Sequence, residues 1–442
     1  MTSHKEDVVE KERRREIRRY LGMLAVALSS LGLGTVADPR APGRARTPLW
    51  QMLTASLAGL MAGCHSLKDV ELLTKQLSLP VRHALKLFRR LPDTTMRDLL
   101  VRLDLDELRA VLRRMTRLAH RRKQLRPHGL PFGTCAIDGR SGVTRCPDDY
   151  YAQHRSDSAA LVRTMTASLS SAQAPICIDS MAIPGHQNEM SAFAKFLQAL
   201  VGAYGTLRLF RVVTADAGIT SEANARLIRS YGLHYVLALK ENQPTLLGEA
   251  MRLLGRRSAE EADSETVDRI DNNTVCVRRV WLSTEMADYL EWDHLRVVLR
   301  VQREVRRDDG TVISCDERYF ASSLELDKLT PEQWGRIIRW HWKVENDCHN
   351  VLDTRFREDD QPWLYATFGA LVVMLLRRIA LNVLMLYRNV ARRGERKADV
   401  PWAELFSWMR VGLTAASEDD VHGLRWPIEI SATGRAPPGS PA

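Results

Sequence analysis

The sequence predicts an α/β protein: a mixed sheet with helices packed on it, a β-rich insertion, and a separate all-helical domain in front. Three observations predict this. From Pro48 to about Lys123 apolar residues recur at spacings of three and four, as Trp50, Leu53, Leu57, Leu60 and Met61 show, followed by Leu99, Leu100, Leu103, Leu108 and Leu112. At Thr134 the texture changes to short β-rich runs alternating with helical patterns in the order β-β-β-α-β-α-β-α, which suits a mixed sheet covered by helices. Between Thr266 and Ser322 the chain alternates β-branched and polar residues, with a turn at Arg307-Asp308-Asp309-Gly310.

Residues 1–36 read as a charged helical leader, and 37–43 form a break rich in Pro and Gly. The helical domain spans 37–126, with Asp93-Thr94-Thr95 as an expected helix N-cap. Pro127, Gly129 and Pro131 mark a linker. The first part of the α/β core covers 132–257. It has strands at 134–138, 160–169, 174–183, 209–215 and 234–239, and helices at 190–203, 220–231 and from Pro244. The β-rich insertion covers 258–328, core helices return over 329–392, and 393–442 ends in a tail expected to be disordered after Ser431.

At 442 residues, 45% apolar and 27% charged, the composition is that of a globular protein with more than one domain. The net charge of +10 is unevenly placed. Residues 1–130 hold 26 Lys+Arg against 13 Asp+Glu, whereas the remainder holds 38 against 41. A basic surface confined to the first third fits a phosphate backbone as partner, and Arg113, Arg114, Arg121, Arg122 and Lys123 are its densest run. Seven cysteines without a CxxC pair suit reduced thiols in the cytoplasm and argue against zinc. No membrane partner is expected. Leu21 to Val36 is shorter than the roughly 20 residues a spanning helix needs, and Phe368 to Leu386 carries Arg377-Arg378 in its middle, as a buried helix would.

Three carboxylates carry the chemistry. Asp138 ends the run Thr134-Cys135-Ala136-Ile137, Asp216 ends Phe210-Arg211-Val212-Val213-Thr214-Ala215, and Glu345 lies in a helix that begins after Pro331. Sites in open α/β sheets assemble at the C-terminal ends of strands. Oxygen ligands placed there suit Mg²⁺ or Mn²⁺, two ions together, and an in-line phosphoryl transfer. Lys240, Asn242 and Gln243 follow a strand at the same edge and are expected to hold DNA, a helix-capping turn being the alternative. His341 and His349 stand four residues either side of Glu345, on one face of a regular helix, to orient it or to contact phosphate. Trp340 and Trp342 read as core, and Cys348 as packing.

These motifs together resemble the H-repeat-associated insertion-sequence transposases of the DDE superfamily. Asp38-Pro39-Arg40, Ala55-x-x-Ala58-Gly59-Leu60-Met61-Ala62-Gly63, Pro92-Asp93-Thr94-Thr95-x-Arg97 and Arg102-Leu103-Asp104 are similar to the helical domain of that group. Ala136-Ile137-Asp138-Gly139, Asn188-Glu189, Thr214-Ala215-Asp216-Ala217, Tyr235 through Leu246, and His341-Trp342-x-x-Glu345-Asn346 through Phe356-Arg357-Glu358-Asp359 resemble its core motifs in order. Three departures stand out: Arg140-Ser141-Gly142-Val143 where the family has a lysine-containing run, His341 where a related signature has arginine, and Leu352 where it has lysine. The resemblance implies an RNase-H-like core with helices on both faces, and Asp138, Asp216 and Glu345 as catalytic metal ligands. It also implies cleavage and transfer of DNA strands at element ends, a homodimer on DNA, and a place on the bacterial nucleoid. A metal-dependent nuclease without strand transfer and a decayed or domesticated DNA-binding relative are the alternatives.

Overall fold

The computed structural model describes residues 2–41, 45–146, 149–156, 158–391 and 400–426. Pro42 and Gly43 of the early break, and the tail after Ser431, lie outside them. The chain divides into two compact units, Met1–Val111 with Val400–Ala442, and Leu112–Asp399.

The first unit opens with α1 (Thr2–Leu31), so the leader is one long helix. Its second half buries Ile17, Tyr20, Leu21, Leu24, Leu28 and Leu31, which explains an uncharged stretch too short to span a bilayer. Helices α2 (Leu49–Met61), α3 (Leu67–Gln76), α4 (Leu79–Leu85) and α5 (Asp93–Leu100) follow. In α3 the Ser66 hydroxyl accepts from the Asp69 N–H as a regular cap. The expected cap at Asp93-Thr94-Thr95 does not form: α5 starts at Asp93, Pro92 occupies the cap position, and the Asp93 N–H donates instead to Glu71 Oε2. Helix α6 (Leu105–Arg121) carries the chain out of this unit and into the next.

In the second unit β1 (Thr134–Thr144), β2 (Ala152–Ser156), β3 (Ala159–Leu169) and β4 (Cys177–Ile183) precede α7 (Glu189–Tyr204). Then come β5 (Val212–Ala215), α8 (Glu222–Ser230), β6 (His234–Leu239) and α9 (Pro244–Leu254). The insertion supplies β7 (Ser264–Asp271), β8 (Thr274–Ser283), β9 (Val297–Arg307) and β10 (Val312–Ser322). The stretch from Thr266 to Leu282 is therefore a hairpin turning at Asn272-Asn273. Gly310, at φ +89°, closes the β9–β10 turn where the sequence places it.

The sheet order is β2-β3-β1-β5-β6-β10-β9-β8-β7, with β4 also on β3. β1, β5 and β6 are parallel neighbours, and the remaining pairs are antiparallel. This mixed, RNase-H-like sheet continues into the β-rich insertion because β10 pairs with β6. Strand β2, which the sequence does not signal, is polar and exposed along most of its length, so it lacks the alternating pattern of a half-buried strand.

Helix α10 (Pro331–His341) packs Trp334, Ile337 and Ile338 onto Val280, Leu299 and Phe320 of the extended sheet. It gives way to a π-helical segment, Val344–His349, then α11 (Asn350–Thr354) and α12 (Thr367–Leu386). Thr367–Val390 is long and apolar enough to cross a membrane, but 94% of its most apolar stretch is buried inside the protein. Arg377 and Arg378 are buried in it as expected, and Arg378 lies 3.4 Å from Glu358. After the second unit, α13 (Trp402–Ala415) and α14 (Glu418–Val421) return to the first, where α13 packs on α1.

Candidate active site

Strand register brings the two aspartates together. β1 and β5 run parallel with Ile137 opposite Ala215, so Asp138 and Asp216 follow at the C-terminal end of that pairing; β1 itself runs on to Thr144 because β3 continues to pair with it, so Asp138 lies within the strand and not at its end as the sequence suggests. Neighbouring strands lie about 4.8 Å apart, and residues in register point to the same face. That face is identified by Thr214, two residues before Asp216, whose hydroxyl is 2.9 Å from His341 Nδ1.

The Asp216 carboxyl is pushed up by burial and then by the negative charge of Asp138, against the pull of the Gly218 and Ile219 N–H groups. Its Oδ1 is buried with no hydrogen-bond partner among the described residues. Asp138 accepts from the Gly139 N–H at 2.9 Å, and His349 Nδ1 lies 3.3 Å from its Oδ2. Burial holds the His341 imidazole down at about 4, so it is neutral near pH 7.

Glu345 is placed differently from its expectation. A regular helix would stack His341, Glu345 and His349 on one face. Here the i→i+5 bonding of the π segment breaks that phase. His341 and His349 are buried toward the strand ends, whereas Glu345 is exposed, and no hydrogen bond or ion pair reaches its carboxylate among the described residues.

The carboxylate that does approach the aspartates is Glu189, at the start of α7. Burial raises it, as do the charges of Asp216 and Asp138. A Cβ built on Gly139 would stand 1.7 Å from its Oε1, so a glycine after Asp138 is what lets Glu189 in. Asn188-Glu189 carries this in the sequence only as part of the family resemblance; no spacing rule points to it.

A second residue the sequence leaves without a role is Arg140, two positions after Asp138. Its guanidinium donates to the His349 carbonyl (3.1 Å), to Asp353 and to Asp359 (2.9 Å). Its Nε lies 3.1 Å from Glu358 Oε1 without the alignment of a hydrogen bond. The run that departs from the family's lysine pattern thus clamps the π segment and the Phe356-Arg357-Glu358-Asp359 motif to β1.

The remaining predicted residues divide. Lys240 is exposed, and its charge acts on Asp216. Asn242 donates to the carbonyls of Ala217 (2.8 Å) and Thr220 (3.0 Å), and Gln243 to Thr220 (3.4 Å), so both brace the loop that follows Asp216. Arg113 pairs at 2.5 Å with the fully buried Asp179. Arg114 is half-buried, and Arg121, Arg122 and Lys123 are exposed. Trp342 lies under Arg318 at 4.3 Å and Trp340 under Lys343 at 4.0 Å, both only half-buried. Cys348 is buried, as packing requires.

The donor set suits a hard divalent cation: oxygens only, in like-charged neighbours, one of them an unpartnered buried oxygen. Among the described residues no three His, Cys, Asp or Glu groups already stand close enough to enclose an ion. That is the regime of Mg²⁺, which takes one or two carboxylates and completes its shell with water and phosphate oxygens.

Comparison with known proteins decides the family. Residues 161–382, half of the chain, match the family described as "Transposase DDE domain", and residues 32–116 match the one described as "DDE_Tnp_1-associated". The chain belongs to the DDE transposase family. The matched core includes Asp216 and Glu345, whereas Asp138 lies just ahead of it. Among similar proteins, "Putative transposase YncI" of Escherichia coli O157:H7 is 25% identical over 193 residues, 42% of this chain and 48% of that one. "H repeat-associated putative transposase YhhI" of E. coli K12 is 28% identical over 203 residues, 42% of this chain and 52% of that one. An "Uncharacterized protein in dhlA 3'region" of Xanthobacter autotrophicus is 33% identical over 122 residues, 26% of this chain and 40% of that one. The chain thus spans about half the length, or less, of these relatives.

Proposed function

We propose that this chain binds the ends of an insertion sequence and carries out metal-dependent cleavage and transfer of DNA strands. The observation that supports it most is the placing of Asp138 and Asp216 directly after the last β1–β5 register pair, with one buried carboxylate oxygen left without a partner. Asp138, Asp216 and Glu345 would hold Mg²⁺ or Mn²⁺, two ions in all. When bound, such ions polarise the phosphate, ease deprotonation of the attacking oxygen and stabilise the leaving one.

Water adds to phosphorus as the bond to the 3′-oxygen breaks, leaving a 3′-hydroxyl and a 5′-phosphate. That hydroxyl then adds to a target phosphodiester in the same way. Both steps are in-line displacements, so one rigid strand-end site serves both once the DNA is repositioned. His349, whose Nδ1 lies 3.3 Å from Asp138 Oδ2, orients that carboxylate. Exposed Lys240, Arg121, Arg122 and Lys123 hold phosphates, in a homodimer that pairs two ends on DNA in the bacterial cytoplasm.

Supercoiled plasmid carrying the DNA that flanks the gene tests this, with Mg²⁺ or Mn²⁺ and wild type beside Glu345→Gln. Metal-dependent cuts at defined ends, lost in the variant while DNA binding persists, are expected. Exposure of Glu345 favours a second reading, a decayed DNA-binding relative. Salt-sensitive binding with no cutting in any metal would establish that one instead.

A further inference from the structure

We infer that Glu189 is a metal-holding carboxylate of this site, set beside Asp138 and Asp216 by the first turn of α7. The inference rests on the metal-dependent reading above and names a ligand beyond it.

Its position comes first. The Glu189 carboxylate fills the space that any side chain at 139 would take, with Oε1 1.7 Å and Cδ 2.0 Å from where a Cβ would stand. It therefore lies against the β1 backbone that follows Asp138, beside the end of the β1–β5 pairing where the aspartates stand. A local role in the helix does not account for it. Asn188 and Ser191 already form the capping box of α7 with each other. Glu222 holds the same first-turn position in α8, after its Ser221 cap, and is paired with Arg226 at 2.6 Å. Glu189 has no hydrogen bond or ion pair among the described residues. The nearby Arg163 guanidinium donates instead to the carbonyls of Gly185 and Gln187.

Stability alone would not select this arrangement. A half-buried, unpartnered carboxylate next to two others is unfavourable for the fold. A divalent cation that draws these carboxylates toward it reverses the sign. The surroundings point the same way: His349, only 7% exposed, faces Asp138 and leaves Nε2 buried without a partner. Two ions also draw on more protein oxygens than two aspartates give, and Glu189 is a further carboxylate that the fold sets beside them.

Mn²⁺ titration of the full chain by calorimetry tests this, with thermal melting in metal-free buffer alongside. The variants are Asp216→Asn, Glu189→Gln, Glu189→Asp (which keeps the charge but withdraws the carboxylate from Gly139) and Glu222→Gln. Expected are saturable binding by wild type and Glu222→Gln, none by Asp216→Asn, and at least about tenfold weaker binding by both Glu189 variants. Metal-free Glu189→Gln should melt no lower than wild type. Wild-type affinity in both Glu189 variants, with Asp216→Asn defective, would overturn the assignment of Glu189 and leave the metal site standing. Weaker binding accompanied by a lower metal-free melting temperature would make Glu189 structural and overturn it too. No saturable Mn²⁺ binding by wild type would overturn both readings.

Discussion

Replacing Arg140 by Met should destabilise the second unit by about 3 kcal/mol. Removing one partner of a buried ion pair costs roughly 3–5 kcal/mol, because the other charge is left buried. Arg140 is 6% exposed at its side chain and Glu358 is 3% exposed, so the pair is of this kind. Two features favour the lower figure. Glu358 keeps Arg378 at 3.4 Å, and Asp353 and Asp359, 34% and 54% exposed, can turn to water, where such pairs contribute about 0–1 kcal/mol each. In a unit of this size each kcal/mol moves the melting temperature by roughly 2 °C, which gives a drop of about 6 °C in differential scanning calorimetry. Arg140→Lys should recover little, since one ammonium cannot span the His349 carbonyl and three carboxylates as a planar guanidinium does. In a cycle with Glu358→Gln the two losses should fall short of additive by at least about 1 kcal/mol. Melting of Arg140→Met within about 1 °C of wild type, or strict additivity, would refute the clamp.

Other predictions concern the site and the basic run. His341 is held near 4, below its ordinary 6.5; a base depressed in the folded state contributes stability that is full above about 6.5 and lost as pH falls toward 4, here at most roughly 3 kcal/mol. His341→Asn should therefore flatten the pH 6.5–4 limb of a denaturation series, and an unchanged limb would contradict the burial argument. Asp216 is raised in the folded state, so its contribution is present below about 3.9 and lost as pH climbs through its higher folded value; metal-free Asp216→Asn should match or exceed wild-type stability at pH 7 in urea titrations, and a clear loss there would contradict it. Arg113→Ala removes the cation paired with the fully buried Asp179 and should cost roughly 3 kcal/mol in the same titrations. Arg121→Ala and Lys123→Ala should leave folding unchanged and each lower the salt slope of DNA binding by about one; an unchanged slope would remove them from the DNA surface.

The sheet was legible because its strands obey local rules. Val212 to Ala215 and His234 to Leu239 are apolar runs between turn signals, and Gly310 announces its hairpin. Polar β2 is a strand only because β3 offers it an edge. The sequence marks Asp138 and Asp216 as ends of apolar runs, but β1 continues past Asp138 to Thr144 because β3 pairs with it there, and their being side by side is a matter of register, which the sequence does not spell out. The phase of Glu345 was not legible at all. A helical repeat places 341, 345 and 349 on one face, whereas the π segment, tied to β1 through Arg140, turns the histidines inward and leaves Glu345 exposed. Long-range ion pairs of that sort have no local signature. Asn242 and Gln243 show the same limit: their composition suits phosphate binding, and the fold directs their amides to the carbonyls of the Asp216 loop.

The central claim is that Asp138 and Asp216, where the β1–β5 pairing ends, hold divalent metal. A crystal soaked in Mn²⁺ and measured at the manganese edge tests it most directly. The account predicts an anomalous peak within about 2.0–2.3 Å of carboxylate oxygens from both Asp138 and Asp216. Manganese bound only elsewhere, with the two aspartates bare at saturating metal, would contradict it.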